Sequence, residues 1–260
     1  MKLDLAVGDS PLVLAQPHGG VEIPQSLLSR LNPKGRAMED TDWHITRLYD
    51  GLIDNVTVLS TPIHRYLIDV NRDPSDVSLY PGHNTTSLCP TTSFDGDHIY
   101  REGEEPGEDE IGERRLKYHA PYHDTLREQL ERVHQKHGYV VLYDCHSIRS
   151  QVPFLFDGKL PDFNIGTNSG QSCDSAIETT VKNICAQVTK YTCVANGRFK
   201  GGWTTRHYGN PQTGYHAIQM ELAQCTYMEE KPPWGYDVKR AEKLRLTLRD
   251  ILLGILELQA

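Results

Sequence analysis

The stretch VVLYDCHSIRS (residues 140–150) changes character in its middle. Its first four residues are apolar or aromatic and favour a strand, whereas Asp144, Cys145 and His146 carry chemically active groups. A short apolar run of this kind predicts a buried strand in a sheet of α/β type. Because ligands of open α/β sheets collect at the carboxyl ends of the strands, His146 is a candidate binding or catalytic residue.

Two other apolar runs meet polar residues in the same way. LVLAQP (12–17) leads to His18 and a Gly-Gly pair that would leave space for a ligand, and Glu221 interrupts AIQMELAQ (217–224). Two neutral imidazoles and one carboxylate delivered to one crevice would bind zinc and keep a position open for water. On the residues alone, each histidine could equally be a hydrogen-bonded core residue, and Glu221 a salt-bridged acid at a strand end.

A local pair of histidines offers a second possible metal site. His119 and His123 have the i,i+4 spacing of ligands on one helix face. Pro121 lies between them and disfavours an uninterrupted helix, so the pair is interpreted as the entrance of a helix.

Apolar runs alternate with amphipathic stretches along the whole chain. The predicted strands are residues 10–20, 56–63, 66–74, 140–143, 191–196 and 217–224. The predicted helices are 41–55 with a possible cap at Thr41, about 111–137 with Gly138 as its stop, 174–190 and 237–258. Residues 82–110 are interpreted as a long surface excursion and 157–172 as a loop. This alternation predicts an α/β fold whose sheet is covered by helices on both faces, in a single domain over residues 1–260.

Composition excludes several classes of protein. The chain has 260 residues, 38% of them hydrophobic, and a formal charge of −8 without any run of Lys or Arg. We therefore expect neither a nucleic-acid partner nor an anionic membrane surface. No apolar run is long enough to span a bilayer, and the first ten residues lack a signal-peptide core. Six cysteines without paired spacing favour a reducing cytoplasm.

Seven motifs, in order along the chain, resemble the N-formylglutamate deformylase family. They are PHGGVEIP (17–24), EDTDWHITRLYD (39–50), RYLIDVNRDP (65–74), LYPG (79–82), DCHSIRSQVPFLFDGKLPDFNIGT (144–167), NGRFKGGWTTRHYG (196–209) and HAIQMELAQCTYM (216–228). The resemblance covers about residues 10–230. It implies a zinc-dependent amidohydrolase that converts N-formyl-L-glutamate and water to formate and L-glutamate, the last step of a histidine-degradation route. It also implies a fold similar to zinc carboxypeptidases and aspartoacylases, with a mixed, mostly parallel sheet.

The resemblance further implies a role for particular residues. His18 and His146 become the imidazole ligands of one Zn²⁺ per chain, although other divalent metals remain possible. Zinc carboxypeptidases place a glutamate three residues after the first histidine, but here Val21 stands there. In the deformylase pattern the acid of DTDW (40–43) takes that place, so the resemblance makes Asp42 the expected third ligand, with Asp40 and Glu22 as alternatives; Asp40 could instead cap the following helix. Glu221 matches the catalytic glutamate that takes a proton from the attacking water.

Substrate binding is expected to depend on arginines. Asn71 and Arg72 match the pair that binds the substrate carboxylate in zinc carboxypeptidases, a role suited to the planar guanidinium fork, although the same residues would also suit a turn. A dianionic substrate calls for a second cation, for which Arg65, Arg149 and Arg206 are the candidates. The glycine pair at 201–202 predicts a pliable loop that carries Arg206, His207 and Tyr208 over the substrate, although on the residues alone a plain surface turn is an equal alternative.

Two other functions remain open on the sequence. One is deacylation of another N-acyl amino acid, and the other is a catalytically silent metal- or amino-acid-binding protein. Glu221 favours an enzyme, because a binding protein has no use for an unpaired carboxylate facing the metal. The sequence sets no oligomeric state.

Overall fold

A computed structural model describes residues 2–79, 82 and 84–258, so Tyr80 and Pro81 of the LYPG motif lie outside the described residues. Within the described residues one sheet contains seven strands. They are β1 (Asp4–Ala6), β2 (Leu12–Gln16), β3 (Thr57–Ser60), β4 (Val140–Ile148), β5 (Phe163–Gly166), β6 (Cys193–Ala195) and β7 (Tyr215–Ala223). None of the helices in these same ranges is long and apolar enough to cross a membrane.

The sheet is mixed and mostly parallel, as the sequence predicts. Its strand order is β1-β3-β2-β4-β7-β5-β6. The pairs β2/β3, β2/β4, β4/β7 and β5/β6 are parallel, whereas β1/β3 and β5/β7 are antiparallel. The long strands β4 and β7 therefore lie at the centre of the sheet, beside β2, and their carboxyl ends meet at one edge.

Helices cover both faces of the sheet. They are α1 (Gln25–Leu28), α2 (Pro33–Arg36), α3 (Ile45–Tyr49), α4 (Glu108–Arg114), α5 (Ala120–His137), α6 (Ser175–Gln187), α7 (Trp203–Tyr208) and α8 (Val238–Glu257). Along β4, Val141, Tyr143 and Cys145 pack into one apolar cluster with α3, α6 and α8, whereas Val140 and Leu142 pack into a second with α5. This alternation is what a strand buried on both faces requires.

One long helical segment, predicted at about 111–137, is confirmed with a local irregularity. A π-helical turn (Arg115–His119) joins α4 to α5. Pro121 follows it, and because proline has no N–H and its ring excludes the carbonyl one turn earlier, regular α-helical hydrogen bonding is interrupted there. The helix ends at Gly138, whose φ of 77° is left-handed and whose N–H donates to the carbonyl of His134.

The prediction of a strand at residues 66–74 is wrong. The segment is apolar enough for a strand, but its backbone forms turns. The N–H of Asp69 donates to the carbonyl of Leu88, and the N–H of Arg72 donates to the carbonyl of Asp69. These bonds curl the chain back under the edge of the sheet and turn its polar side chains toward His18 and His146.

Three smaller predictions are also wrong. Residues 157–172 contain β5, a short buried strand that pairs with both β6 and β7. The predicted surface excursion at 82–110 is irregular over residues 84–107 and enters α4 at Glu108, and because it buries Leu88, Cys89, Ile99 and Tyr100 it is not a surface excursion. Thr41 does not cap α3; its hydroxyl donates to the carbonyl of Met38, and α3 begins after His44.

Candidate active site

Three buried side chains converge where β2 and β4 end. The Nδ1 atoms of His18 and His146 are 3.1 Å apart. Oδ2 of Asp42 lies 3.3 Å from Nδ1 of His146 and 3.9 Å from Nδ1 of His18. All three residues are buried, and they form a group able to hold a metal ion. Of the three candidate acids, Asp42 is the one that the structure brings to the histidines.

The local backbone explains how Asp42 reaches the sheet edge. Its N–H donates to the carbonyl of His18, and its Oδ2 accepts the N–H of Ser147, the residue after His146. Gly20 permits the close packing here, because a Cβ at this position would lie 2.3 Å from the carbonyl carbon of Pro62. The space beside Gly20 therefore belongs to the neighbouring chain segment and not, as the sequence suggested, to a ligand.

The distances between the donor atoms suit a tetrahedral metal ion. Nitrogen and oxygen ligands about 2.0–2.2 Å from a tetrahedral zinc stand roughly 3.3–3.6 Å from one another. The three observed separations, 3.1, 3.3 and 3.9 Å, bracket that range. Burial and the charge of Arg65 lower the pKa of His18, which favours the neutral imidazole that a metal ligand must be.

Carboxylates orient both imidazoles from behind. Nε2 of His18 is 2.7 Å from Oδ1 of Asp69, and Nε2 of His146 is 3.0 Å from Oδ2 of Asp144. Asp144 is fully buried, and among the described residues neither of its oxygens has a hydrogen-bond partner of good geometry. A proton on Nε2 of His18 would face Asp69 and leave the Nδ1 lone pair of His18 directed into the cluster. The donor set thus fits a metal ion.

Arg65 belongs to this centre through Asp42. Its Nη2 donates to Oδ1 of Asp42 at 2.8 Å, and its guanidinium lies 4.9 Å from the ring centroid of Phe94. Burial opposes ionisation of Asp42, but Arg65, His146 and His18 together outweigh it and lower the pKa of that carboxyl. Arg65 thus helps to keep Asp42 negatively charged.

Glu221 lies beside the cluster on β7. It is the register partner of His146 on β4, and it is 7% exposed. Its Oε2 accepts a hydrogen bond from Nε2 of Gln219, whose Oε1 accepts the N–H of Gly202. Burial raises the pKa of Glu221 to about 8, because the charges of His146 and Arg65 only partly offset the loss of solvation. A carboxyl group with such a pKa can exchange a proton near neutral pH.

Asn71 and Arg72 lie on the other side of His146. The Asn71 side chain is 3.0 Å from Nε2 of His146 through Nδ2, and its Oδ1 accepts the N–H of Thr204. Arg72 donates from Nη2 to Oγ1 of Thr86, while its buried Nε has no hydrogen-bond partner among the described residues. One cavity is lined by His18, His146, Glu221, Asn71, Arg72, Arg65 and Arg198 together.

Three residues predicted to bind substrate do not line this cavity. Arg149 pairs with Asp95 at 2.9 Å and lies 3.6 Å from Asp40. Arg206, on α7, donates to the carbonyl of Gly201, and His207 stacks on Trp203 at 4.2 Å between ring centroids. Arg206, His207 and Tyr208 lie on the helix α7, so the prediction of a pliable loop that carries them over the substrate is wrong.

The two alternative metal ligands are also elsewhere. Oδ2 of Asp40 accepts hydrogen bonds from the hydroxyl of Tyr66 and the N–H of Phe94, so it neither joins the cluster nor caps α3. Glu22 is exposed, with its backbone bridged to Ile63.

His119 and His123 contact the backbone of the same region. Nε2 of His119 lies 3.0 Å from the carbonyl of Arg72, and Nε2 of His123 lies 2.7 Å from the carbonyl of Val70. The two imidazoles therefore hold the backbone on both sides of Asn71. The π-helical turn and Pro121 place them at the start of α5, so the interpretation as a helix entrance is confirmed.

Sequence reasoning missed Asp69, Asp144, Gln219 and Arg198. The first three stand two residues before Asn71, His146 and Glu221, and two-residue spacing on a strand places Asp144 and Gln219 on the same face as those residues. That spacing was a usable signal. No such spacing marks Arg198, because its approach to the cavity depends on loops that are far apart in sequence.

Fold and site together define an α/β protein with a buried centre of two histidines and one aspartate, suited to a divalent metal, that faces a glutamate across a cavity. Residues 10–228 match the family model of N-formylglutamate amidohydrolase. Over 254 residues the chain is 46% identical to N-formylglutamate deformylase of Pseudomonas aeruginosa, covering 96% of this chain and 94% of the relative. It is 44% identical to the enzyme of that name from Pseudomonas putida, covering 96% and 93%.

A solved structure has the same fold. The crystal structure of N-formylglutamate amidohydrolase from Ralstonia eutropha superposes with a TM-score of 0.79 at 24% identity, covering 97% of this chain and 96% of that one. The chain belongs to the N-formylglutamate amidohydrolase family.

Proposed function

We propose that the protein hydrolyses N-formyl-L-glutamate to formate and L-glutamate. The observation that carries this proposal is the convergence of the His18–Asp42–His146 cluster, Glu221 and Arg72 on one cavity. Such a cavity offers a metal site, a proton acceptor and a carboxylate-binding cation to one small molecule. Relatives named N-formylglutamate deformylase at 46% and 44% identity over nearly the whole chain support the same reaction.

We propose that one Zn²⁺ is the metal, held by Nδ1 of His18, Nδ1 of His146 and Oδ2 of Asp42. Two imidazoles and one carboxylate are a frequent ligand set of catalytic zinc. The ion supplies a Lewis acid for the formyl oxygen and lowers the pKa of a coordinated water. Asp69 holds the imidazole of His18 in the tautomer that presents Nδ1.

Glu221 is the proposed general base and acid. Its carboxylate takes a proton from the water that attacks the formyl carbon, and it returns a proton to the amide nitrogen as the C–N bond breaks. Formate and L-glutamate, with its free amino group, are the products. Gln219 fixes the carboxylate in place, because the N–H of Gly202 holds the Gln219 carbonyl oxygen and so directs the amide N–H at Glu221.

Arg72 is the proposed partner of a substrate carboxylate. Its buried Nε lies 3.7 Å from Oδ2 of Asp69 but has no hydrogen-bond partner among the described residues, and Arg72 lines the cavity, so a substrate carboxylate there can accept charge-assisted hydrogen bonds. Asn71 ties the arginine's segment to His146 and to α7. The clamp and the metal ligands therefore keep a fixed separation.

The charge of the substrate, the location in the cell and the metabolic route are also proposed. A small dianion fits the cationic cavity, whereas the net charge of −8 opposes binding to nucleic acid or to an anionic membrane. All six cysteines are free, which supports a reducing cytoplasm as the location. As the family resemblance implies, we place the reaction at the end of a histidine-degradation route.

The direct test measures formate released from N-formylglutamate by the zinc-loaded protein, with N-acetylglutamate and N-acetylaspartate as competing substrates. We expect N-formylglutamate to have the highest kcat/KM. Faster hydrolysis of either acetyl substrate would assign the site to another N-acyl amino acid. Tight binding of N-formylglutamate without any turnover would indicate a binding protein.

A further inference from the structure

A second guanidinium faces the substrate cavity. Arg198 stands in the segment between β6 and α7 and lines the same cavity as Arg72. Its Nε donates to the carbonyl of Leu155, and its Nη2 is 3.3 Å from the carbonyl of Asn84. The side chain is therefore held in place by two segments that border the cavity.

One short segment links the two arginines. Arg72 donates to the side chain of Thr86, and Arg198 donates to the backbone of Asn84 two residues away. Asn84, Thr85 and Thr86 line the cavity together with both arginines. The two guanidiniums are thus bonded to one three-residue segment of the cavity wall, so the cavity presents two cations to one small dianion.

A separate apolar cluster supports Arg198. Its guanidinium carbon lies 5.5 Å from the ring centroid of Phe199, which packs with Phe156 in a T-shaped contact. Both rings pack against a small core that includes Ile148 and Val152. Since Ile148 ends β4, this platform is fixed to the strand that carries His146.

The arginines expected from the sequence are engaged elsewhere. Arg65 pairs with Asp42, Arg149 pairs with Asp95, and Arg206 bonds to the carbonyls of Gly201 and Leu79. Arg65 lines the cavity, but its ion pair with Asp42 already commits its charge to the metal centre. Arg198 also bonds to backbone carbonyls, but unlike Arg149 and Arg206 it lines the cavity, so it is the second cation best placed for substrate.

On this basis, and resting on the proposed function, we propose that Arg198 binds the side-chain carboxylate of N-formylglutamate, while Arg72 binds the α-carboxylate. Arg72 adjoins Asn71, which contacts His146, whereas Arg198 is held by the outer segments at Asn84 and Leu155. The α-carboxylate is one carbon from the formylated nitrogen and must lie near the metal centre. The side-chain carboxylate extends farther and meets Arg198.

A crossed experiment tests this assignment. Zinc-loaded wild type, Arg198→Gln and Arg72→Gln are assayed for formate release from N-formylglutamate, N-formylglutamine and the α-amide of N-formylglutamate. With N-formylglutamate, Arg198→Gln should lower kcat/KM by about 30-fold or more, as expected for loss of a buried charge pair. With N-formylglutamine, which lacks the side-chain carboxylate, the same variant should stay within a few-fold of wild type. Arg72→Gln should likewise lower kcat/KM with N-formylglutamate, but it should stay within a few-fold of wild type with the α-amide, which lacks the α-carboxylate.

The controls separate the possible failures. Arg127→Gln removes an exposed guanidinium on α5 and should match wild type on all three substrates. An equal loss on N-formylglutamate and N-formylglutamine in Arg198→Gln would overturn the proposal, as would no loss on either. If Arg198→Gln does not fold, Arg198→Lys must show a smaller loss confined to N-formylglutamate. Absence of formate release by wild type would instead overturn the proposed function.

Discussion

His146 and Glu221 are paired in register on β4 and β7, so an imidazole and a carboxylate leave adjacent parallel strands on the same face of the sheet. Neighbouring strands lie about 4.8 Å apart, and this distance between the two backbones fixes how far apart the side chains of His146 and Glu221 begin. A candidate metal ligand and a candidate base are thereby positioned by hydrogen-bonded strands at the centre of the sheet.

Replacing Glu221 by Gln tests the base. The amide keeps the shape of the side chain but accepts no proton from water, so kcat should fall roughly 10²–10⁴-fold. Metal content should remain that of wild type. The matched control is Glu22→Gln, which changes an exposed glutamate near His18. Near-normal turnover in Glu221→Gln would show that Glu221 is structural.

Metal content distinguishes the candidate ligands. We expect purified wild type to hold about one zinc per chain and His146→Ala or Asp42→Ala to lose most of it while retaining the circular dichroism of the folded protein. Glu22→Ala should keep its metal, because Glu22 is exposed and outside the cluster. Elemental analysis after dialysis decides the matter, and full occupancy in His146→Ala would disprove the site.

Exchange of Arg72 for Lys separates charge from geometry. Lysine retains the positive charge but lacks the planar fork that binds a carboxylate through two hydrogen bonds, and it cannot reproduce the bond to Thr86 in the same orientation. We expect at least a tenfold loss in kcat/KM, mainly through a higher KM. Steady-state kinetics measure both parameters, and an unchanged KM would remove Arg72 from substrate binding.

The strand-end histidines and Glu221 could be found from sequence because each interrupts a continuous apolar run, and such runs predict buried strands directly. Asp42 could not be separated from Asp40 or Glu22 on residues alone. Its selection depends on hydrogen bonds with the backbone of His18 and Ser147, the second of which lies more than a hundred residues away. Residues 66–74 misled the prediction because their apolar side chains pack in the core while their backbone forms turns. The position of Arg198 depends on Asn84 and Leu155 and so carried no local signal.

The packing of Gly202 against Asn71 gives a steric prediction. A Cβ at residue 202 would lie 2.4 Å from Nδ2 of Asn71, so Gly202→Ala must displace the side chain that contacts His146 and Thr204. We expect kcat/KM to drop at least tenfold and the melting temperature to fall. Gly112→Ala in α4 is the matched control, since nothing lies within 4 Å of its added methyl group. That change should stabilise the protein by up to about 1 kcal/mol. Equal activity in the two variants would contradict the steric argument.

Buried neutral histidines predict sensitivity to acid. Nδ1 of His64 accepts the N–H of Tyr66, which leaves the ring proton on Nε2, 3.0 Å from the hydroxyl of Thr41. A second proton would have to enter at Nδ1, against that N–H. Burial is the main cause that lowers the pKa of His64 to about 3, and it also holds the pKa of His123 well below its usual range. Both side chains therefore take up protons far more readily in the unfolded chain than in the folded protein.

The lowered pKa values of His64 and His123 determine whether the folded protein gains or loses stability as the pH falls. A group with a depressed folded-state pKa stabilises the fold fully above its unfolded pKa of about 6.5, and that stability is lost as the pH falls toward the folded-state value. Between pH 6.5 and about 3, His64 should lower the free energy of unfolding by up to about 1.4 kcal/mol per pH unit. Urea denaturation of chelator-treated protein at pH 7, 6, 5 and 4 measures this slope without contributions from bound metal. His64→Gln keeps a donor toward Thr41 but does not titrate, so its slope should be shallower by about one proton. Identical slopes in the two proteins would show that His64 is not the source of the acid sensitivity.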